Sequence, residues 1–279
     1  MNAPNTSDSK GPGLPVAAKP PRGGPTVELP AASRLSGVIL VVALLAVWEA
    51  SARLDWVDSR NWPPVTAVFA AIVRGFAGGE LAQLLLSTLR RMSIGYVLGG
   101  GIGIALGILA GSIRTLRYAI KPLVEVLRPI PAPAIVPPLI LLLGVDDSLK
   151  ITVVAMACFF PVFINTLAGV EGIDDVLLQT ARTFRIGRGR ALIQVFLPAT
   201  LPMIAAGLRI AIGIGLVVTV ISEMIAGSSG LGYYIVQMQY AMKPEAMYAA
   251  IAALAVSGYV LNRVFLALES HFVPWMGKD

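Results

Sequence analysis

Four arginines, Arg182, Arg185, Arg188 and Arg190, crowd the middle of a polar segment, residues 171–202, that reads EGIDDVLLQTARTFRIGRGRALIQVFLPATLP. Two long apolar runs flank it, and Pro198 and Pro202 close it. Positive charge gathered between apolar runs belongs on the cytoplasmic side of a membrane. The segment is also too long and too patterned for a mere connector, so its expected chemistry is recognition: docking onto another protein in the cytoplasm. Two more charged residues sit in or beside an apolar run. Arg209 lies some eight residues into it, roughly 12 Å deep at about 1.5 Å per residue and so near mid-bilayer. A guanidinium there faces the bundle interior or a water-filled path. Its partner is an anionic solute, an internal carboxylate or backbone carbonyls. Glu223 closes the run, in an outer vestibule or as a plain interfacial carboxylate.

Bond-making chemistry has no such support. The single Cys158 lies inside an apolar run and the single His271 near the C-terminus. That rules out an internal disulfide, a thiolate metal cluster or a spaced His/Cys set. No GxxxxGK[ST], HExxH or GxSxG occurs, and Gly277-Lys278-Asp279 is only a tail. No catalytic, cofactor-binding or metal-binding residue is therefore assigned. The chain is expected not to be an enzyme and not to bind ATP by itself.

The elements that must position these residues are membrane spans. Of 279 residues, 56% are hydrophobic and only 14% charged, against about 25% charged in soluble domains. The net charge of +6 fits the Lys/Arg enrichment of cytoplasmic loops better than nucleic-acid binding. Residues 1–33, rich in Pro, Gly, Ser and Ala, read as a disordered cytoplasmic tail. Residues 34–279 read as one all-α bundle of about six spans, near 35–52, 92–112, 118–144, 150–170, 201–222 and 246–268. Residues 53–91 read as a polar and amphipathic connection. The third span carries prolines at 122, 129, 131, 133, 137 and 138, which must break or kink it; broken backbone is tolerated there only where protein or a water-filled cavity covers it. A cytoplasmic N-terminus puts 113–117 and about 171–200 inside. Arg114, Arg117 and the loop arginines agree with that orientation, whereas Arg74, Arg90 and Arg91 fall on the outer side against the rule. Gly95, Gly99, Gly103, Gly107 and Gly111 form one ridge on a helix, a device for close packing in lipid. Gly227-Ser228-Ser229-Gly230-Leu231-Gly232-Tyr233 permits a tight turn after the fifth span.

Four stretches, taken in order, carry a resemblance. Leu127-Arg128-Pro129-Ile130-Pro131 with Ala132 and Ala134, the loop from Gln179 to Pro202, Gly207-Leu208-Arg209 with Glu223-Met224, and Gly230-Leu231-Gly232-Tyr233 are together similar to the signatures of bacterial ABC importer permeases. The likeness covers about 35–270 and is nearest the branch that imports nitrate, taurine and aliphatic sulfonates. It implies the type I importer permease fold in the inner (plasma) membrane. The implied function is alternating access that moves a small, anionic solute. Implied partners are a separate ATP-binding subunit, a periplasmic or surface-tethered solute-binding protein and a second permease copy within membrane lipid. In that family a coupling helix rests in a groove of the ATPase; carried over, it comprises Gln179, Thr180, Ala181, Arg182, Thr183 and Phe184. Gln179 stands where the family has an acidic residue, and Arg185 where it has a turn glycine. Because arginine disfavours positive φ, the turn is expected to move to Gly187. Arg209, Glu223 and Pro131 are the residues assigned to the translocation path. The alternative is a stand-alone secondary transporter or channel, which would call for internal repeats and intramembrane carboxylates.

Overall fold

The computed structural model describes residues 32–56 and 61–272. Residues 1–31, nearly all of the expected tail, lie outside the described residues. The described residues form helices and no strand. Two compact units divide at Ala46/Val47. The described part of the first unit is the start of helix α1 (Ala32–Arg53), whose Val38–Leu45 stretch presents large apolar side chains, such as Leu40 and Leu44, at its surface.

The second unit holds the end of α1 and everything after it. Trp48 and Trp62 pack their rings 5.5 Å apart and both lie against Tyr248. Trp48 Nε1 donates to the Pro63 carbonyl and Trp62 Nε1 to Ser51 Oγ, the amphipathic use of indoles typical of a membrane–water boundary. Helix α2 (Val65–Ala77) follows, then α3 (Glu80–Ser112). At 33 residues α3 is about 50 Å long. It begins twelve residues before the expected span at 92. Leu81 and Thr88, buried in that early part, pack against neighbours beyond the apolar zone, where hydropathy gives no signal.

The third apolar stretch is two helices, α4 (Arg114–Leu127) and α5 (Ala132–Leu143), bent by 98°. Pro129 and Pro131 supply no backbone N–H at the break, and Pro133 fits the first turn of α5. Helix α6 (Asp147–Glu171) returns, and the polar segment folds as α7 (Asp175–Thr183), α8 (Arg188–Ala191) and a π-helical turn (Leu192–Phe196). Then come α9 (Leu197–Ala226), α10 (Leu231–Tyr240) and α11 (Pro244–Phe272). Among the described residues five helices are long and apolar enough to cross a membrane, or six if the bent pair is counted as one span.

Helix α6 lies between α3 and α9. Val153, Val154, Cys158, Val162, Ala211 and Val218 form its fully or nearly fully buried seam. All five ridge glycines face α6: added Cβ atoms would meet Val154, Ala155, Phe159, Thr166 and Val170 at 3.0 Å or less. At Gly99 the distance to the Ala155 carbonyl oxygen would be 2.1 Å. Lipid tails are as apolar as leucine, so association within the bilayer rests on this close packing rather than on water exclusion.

Candidate functional site

Phe184 projects from the segment 171–196 with 75% of its surface exposed. Asp174 Oδ1 accepts from Val176 N–H at 2.8 Å and caps α7, and the acids Asp174 and Asp175 complement the positive end of the helix dipole. Thr180 and Thr183 hydroxyls donate to the Val176 and Gln179 carbonyls. Gln179, Thr180, Ala181, Arg182 and Thr183 therefore lie on one helix, followed by Phe184 and, before α8, Gly187. The turn has not moved to Gly187, contrary to expectation. Arg185 itself takes the left-handed conformation, φ 50°, and Ile186 N–H donates to the Ala181 carbonyl at 3.1 Å. That six-to-one bond is the Schellman closure of a helix end. It satisfies a terminal carbonyl, and that hydrogen bond offsets the steric cost of a side chain at positive φ.

At the other end of the bundle lies a cluster that sequence reasoning did not assemble. Arg91 of α3, only 3% exposed, pairs with Glu223 of α9 at 2.7 Å and with Asp147 of α6 at 2.6 Å. Arg90 adds a second contact to Asp147. The other Glu223 oxygen accepts from Thr88 Oγ1 at 2.9 Å and Gly232 N–H at 3.0 Å, and Arg91 also holds the Ser229 carbonyl. Glu223 is fully buried. It opens onto no vestibule in this chain, and its acceptors are filled by the bundle itself. Gly230 has φ 101°, and a Cβ there would fall 2.3 Å from the Glu223 carboxylate, so both backbone and space call for glycine. The network joins α3, the start of α6 and the last turns of α9 to the turn before α10. The signal available in sequence was Arg91 beside an apolar run, a charge that needs a partner. Its partners sit 56 and 132 residues away and are not legible from one chain.

Arg209 is not enclosed. Its side chain is 46% exposed and pairs with Glu269 of α11. Along α9 it lies about 21 Å from Glu223. Pro131 begins α5 and is exposed. Beside it opens a cleft of about 320 Å³ between the α4–α5 break, α6 and α9. The cleft is apolar apart from Arg128 and Asn165, and Asn165 Nδ2 donates to the Pro161 carbonyl at 2.8 Å. The structure thus separates the three residues assigned to a path: Glu223 in the ionic cluster, Pro131 at the cleft, Arg209 on the α9–α11 pair.

Residues 103–278 match the model of the family described as binding-protein-dependent transport system inner membrane component. A Bacillus subtilis (strain 168) protein named for aliphatic sulfonates transport, as a permease protein, is 31% identical over 241 residues, 86% of this chain and 87% of that one. The taurine transport system permease protein of Escherichia coli (strain K12) is 30% identical, covering 85% of this chain and 88% of its own. The nitrate import permease protein of Leptolyngbya laminosa is 30% identical, covering 85% and 86%. The chain belongs to the binding-protein-dependent transport system inner membrane component family. It has the all-α, multi-pass fold of type I ABC permeases and resides in the inner membrane.

Proposed function

We propose that this member of the inner membrane component family forms, with a second copy of itself, the translocation path of an ATP-driven importer for a small anion of the sulfonate, taurine or nitrate class. Solute arrives from a binding protein at the outer mouth. ATP is hydrolysed on separate subunits, and the path opens alternately to the two sides. The observation that carries the reading is the α7–α8 segment: a capped helix between two membrane spans, ending in an outward-facing Phe184. An aromatic side chain left in water at a helix end has the character of an interface anchor. Gln179, Thr180, Ala181, Arg182, Thr183 and Phe184, with Gly187 after the turn, form the contact to the ATPase. The neutral Gln179 contributes a hydrogen bond rather than a charge there.

The test is detergent co-purification of the tagged chain with its ATP-binding subunit, with and without residues 179–190. A complex that requires the loop supports the reading. A complex that forms equally without it, or in neither case, refutes it, and uptake driven by protons or sodium without an ATPase would install a secondary transporter in its place.

A further inference from the structure

We infer that Arg128, with Asn165, is the anion-recognition point of the path, set at one end of an apolar cleft that takes an organic anion by its tail. This rests on the reading of the chain as an anion permease.

Arg209, the first candidate for that role, already has a carboxylate partner in Glu269, and Arg91 has two. Arg128 makes no ion pair among the described residues and stands exposed at the α4–α5 break, lining the cleft. A guanidinium offers five N–H donors in a planar fork that matches the oxygens of a sulfonate or carboxylate. Asn165 of α6 adds a carboxamide to the same cleft: Nδ2 spends one of its hydrogens on the Pro161 carbonyl and has a second to give. The remaining wall is aliphatic and aromatic, including Ile130, Met156, Phe160 and Ile214. A bare inorganic anion has no use for such a wall, while an alkyl chain loses water against it.

The charge pattern of α4 supports the same ligand. Arg114, Arg117, Lys121, Glu125 and Arg128 follow at steps of three and four, so all five lie on one face. Arg117 is occupied by Glu171 and by the carbonyls of Ala110 and Gly111. Arg114, Lys121 and Arg128 make no ion pair among the described residues. With Glu125 set against Arg114, Lys121 and Arg128, the stripe from the cleft to the start of α4 keeps a net positive charge that favours anions.

The test uses the whole transporter, with its ATP-binding subunit and binding protein, in proteoliposomes supplied with butanesulfonate, taurine or nitrate. With saturating binding protein, Arg128→Gln should lower the maximal rate of butanesulfonate uptake at least tenfold, and Arg128→Lys less than threefold, with assembly unchanged. A rate within twofold of wild type for Arg128→Gln overturns the assignment. Wild-type uptake of nitrate but not butanesulfonate overturns the apolar-tail part. A wild-type complex that moves none of the three removes the permease reading itself, and this inference with it. Should Arg128→Gln fail to assemble, Asn165→Cys in a Cys158→Ser background gives a second readout. An anionic methanethiosulfonate reagent should label Cys at 165 several-fold faster than a cationic one, and the absence of that preference refutes an anion site.

Discussion

Replacing Gly99 by alanine tests the central packing claim, and Gly101, two residues away on α3, supplies the control. A Cβ at Gly99 would stand 2.1 Å from the Ala155 carbonyl oxygen and 2.8 Å from its carbon, whereas one at Gly101 meets nothing within 4 Å. Reaching ordinary contact at about 3.4 Å requires α3 and α6 to part by roughly 1.3 Å at that level. The obstacle is helix backbone, which has no rotamer to change, and the flanking contacts at Gly95 and Gly103 resist the separation. Overpacking of this kind costs about 1–3 kcal/mol. Alanine returns about 0.5–1 kcal/mol of helix preference at either position. Gly99→Ala should therefore lose about 2 kcal/mol or less, and Gly101→Ala should gain about 0.5–1 kcal/mol. The helix preference cancels between the two, so the gap of about 1–3 kcal/mol is the overpacking cost and corresponds to roughly 2–12 °C for a chain of this size. The assay is built in: Cys158 is the only cysteine and is fully buried in the α6 seam, so a thiol-reactive dye reports its exposure on heating. Equal apparent melting temperatures for Gly99→Ala and Gly101→Ala would refute the close approach of α3 to α6.

Three further outcomes follow from the same geometry. Glu223→Ala leaves Arg91 buried with only Asp147 and should cost about 3–5 kcal/mol; the paired replacement Arg91→Met with Glu223→Leu should recover much of it, read by the same melt. Arg185→Gly removes the steric cost of positive φ and should stabilise the end of α7 by about 1–2 kcal/mol, seen as slower hydrogen exchange at the Phe184 and Ile186 amides. Arg209→Ala leaves Glu269, whose side chain is only 9% exposed, without its cation and should cost about 1–3 kcal/mol. The same melt reads it, and the double replacement Arg209→Met with Glu269→Leu should recover much of the loss.

What the sequence disclosed depended on whether a signal was local. The glycine ridge, the broken third span and the polar α7–α8 insert were readable, because spacing of four, clustered proline and a charge run each act within a few turns. The ionic network was not, since Arg91, Asp147 and Glu223 meet only through the packing of three helices. The turn at Arg185 was misjudged for a related reason: propensity argued against positive φ, while the bond from Ile186 N–H to the Ala181 carbonyl compensates for it locally. Arg209 and Glu223 look alike as charges beside one apolar run, yet one ends exposed and the other enclosed. Their fates turn on α11 and α3, which supply Glu269 and Arg91.

Two of the three arginines that count against the expected orientation, Arg90 and Arg91, are held by carboxylates in the structure. Arg90 and Arg91 share Asp147 and Glu223, and Lys150 of α6, 1% exposed, brings a third cation beside them and donates to the Val145 carbonyl at 3.0 Å. At the opposite level Arg117 meets Glu171, while Arg114, Lys121 and the loop arginines after α7 leave the excess positive charge there. Asp147 and Glu171 bound α6 at levels about 36 Å apart, a little more than the roughly 30 Å hydrocarbon core. The chain must climb between those levels through α4 and α5. Helices of 14 and 12 residues bent by 98° reach about 26 Å end to end, and their short connections supply the rest. With those connections the bent pair is long enough to join the two levels, and the Arg128 cleft opens at its break.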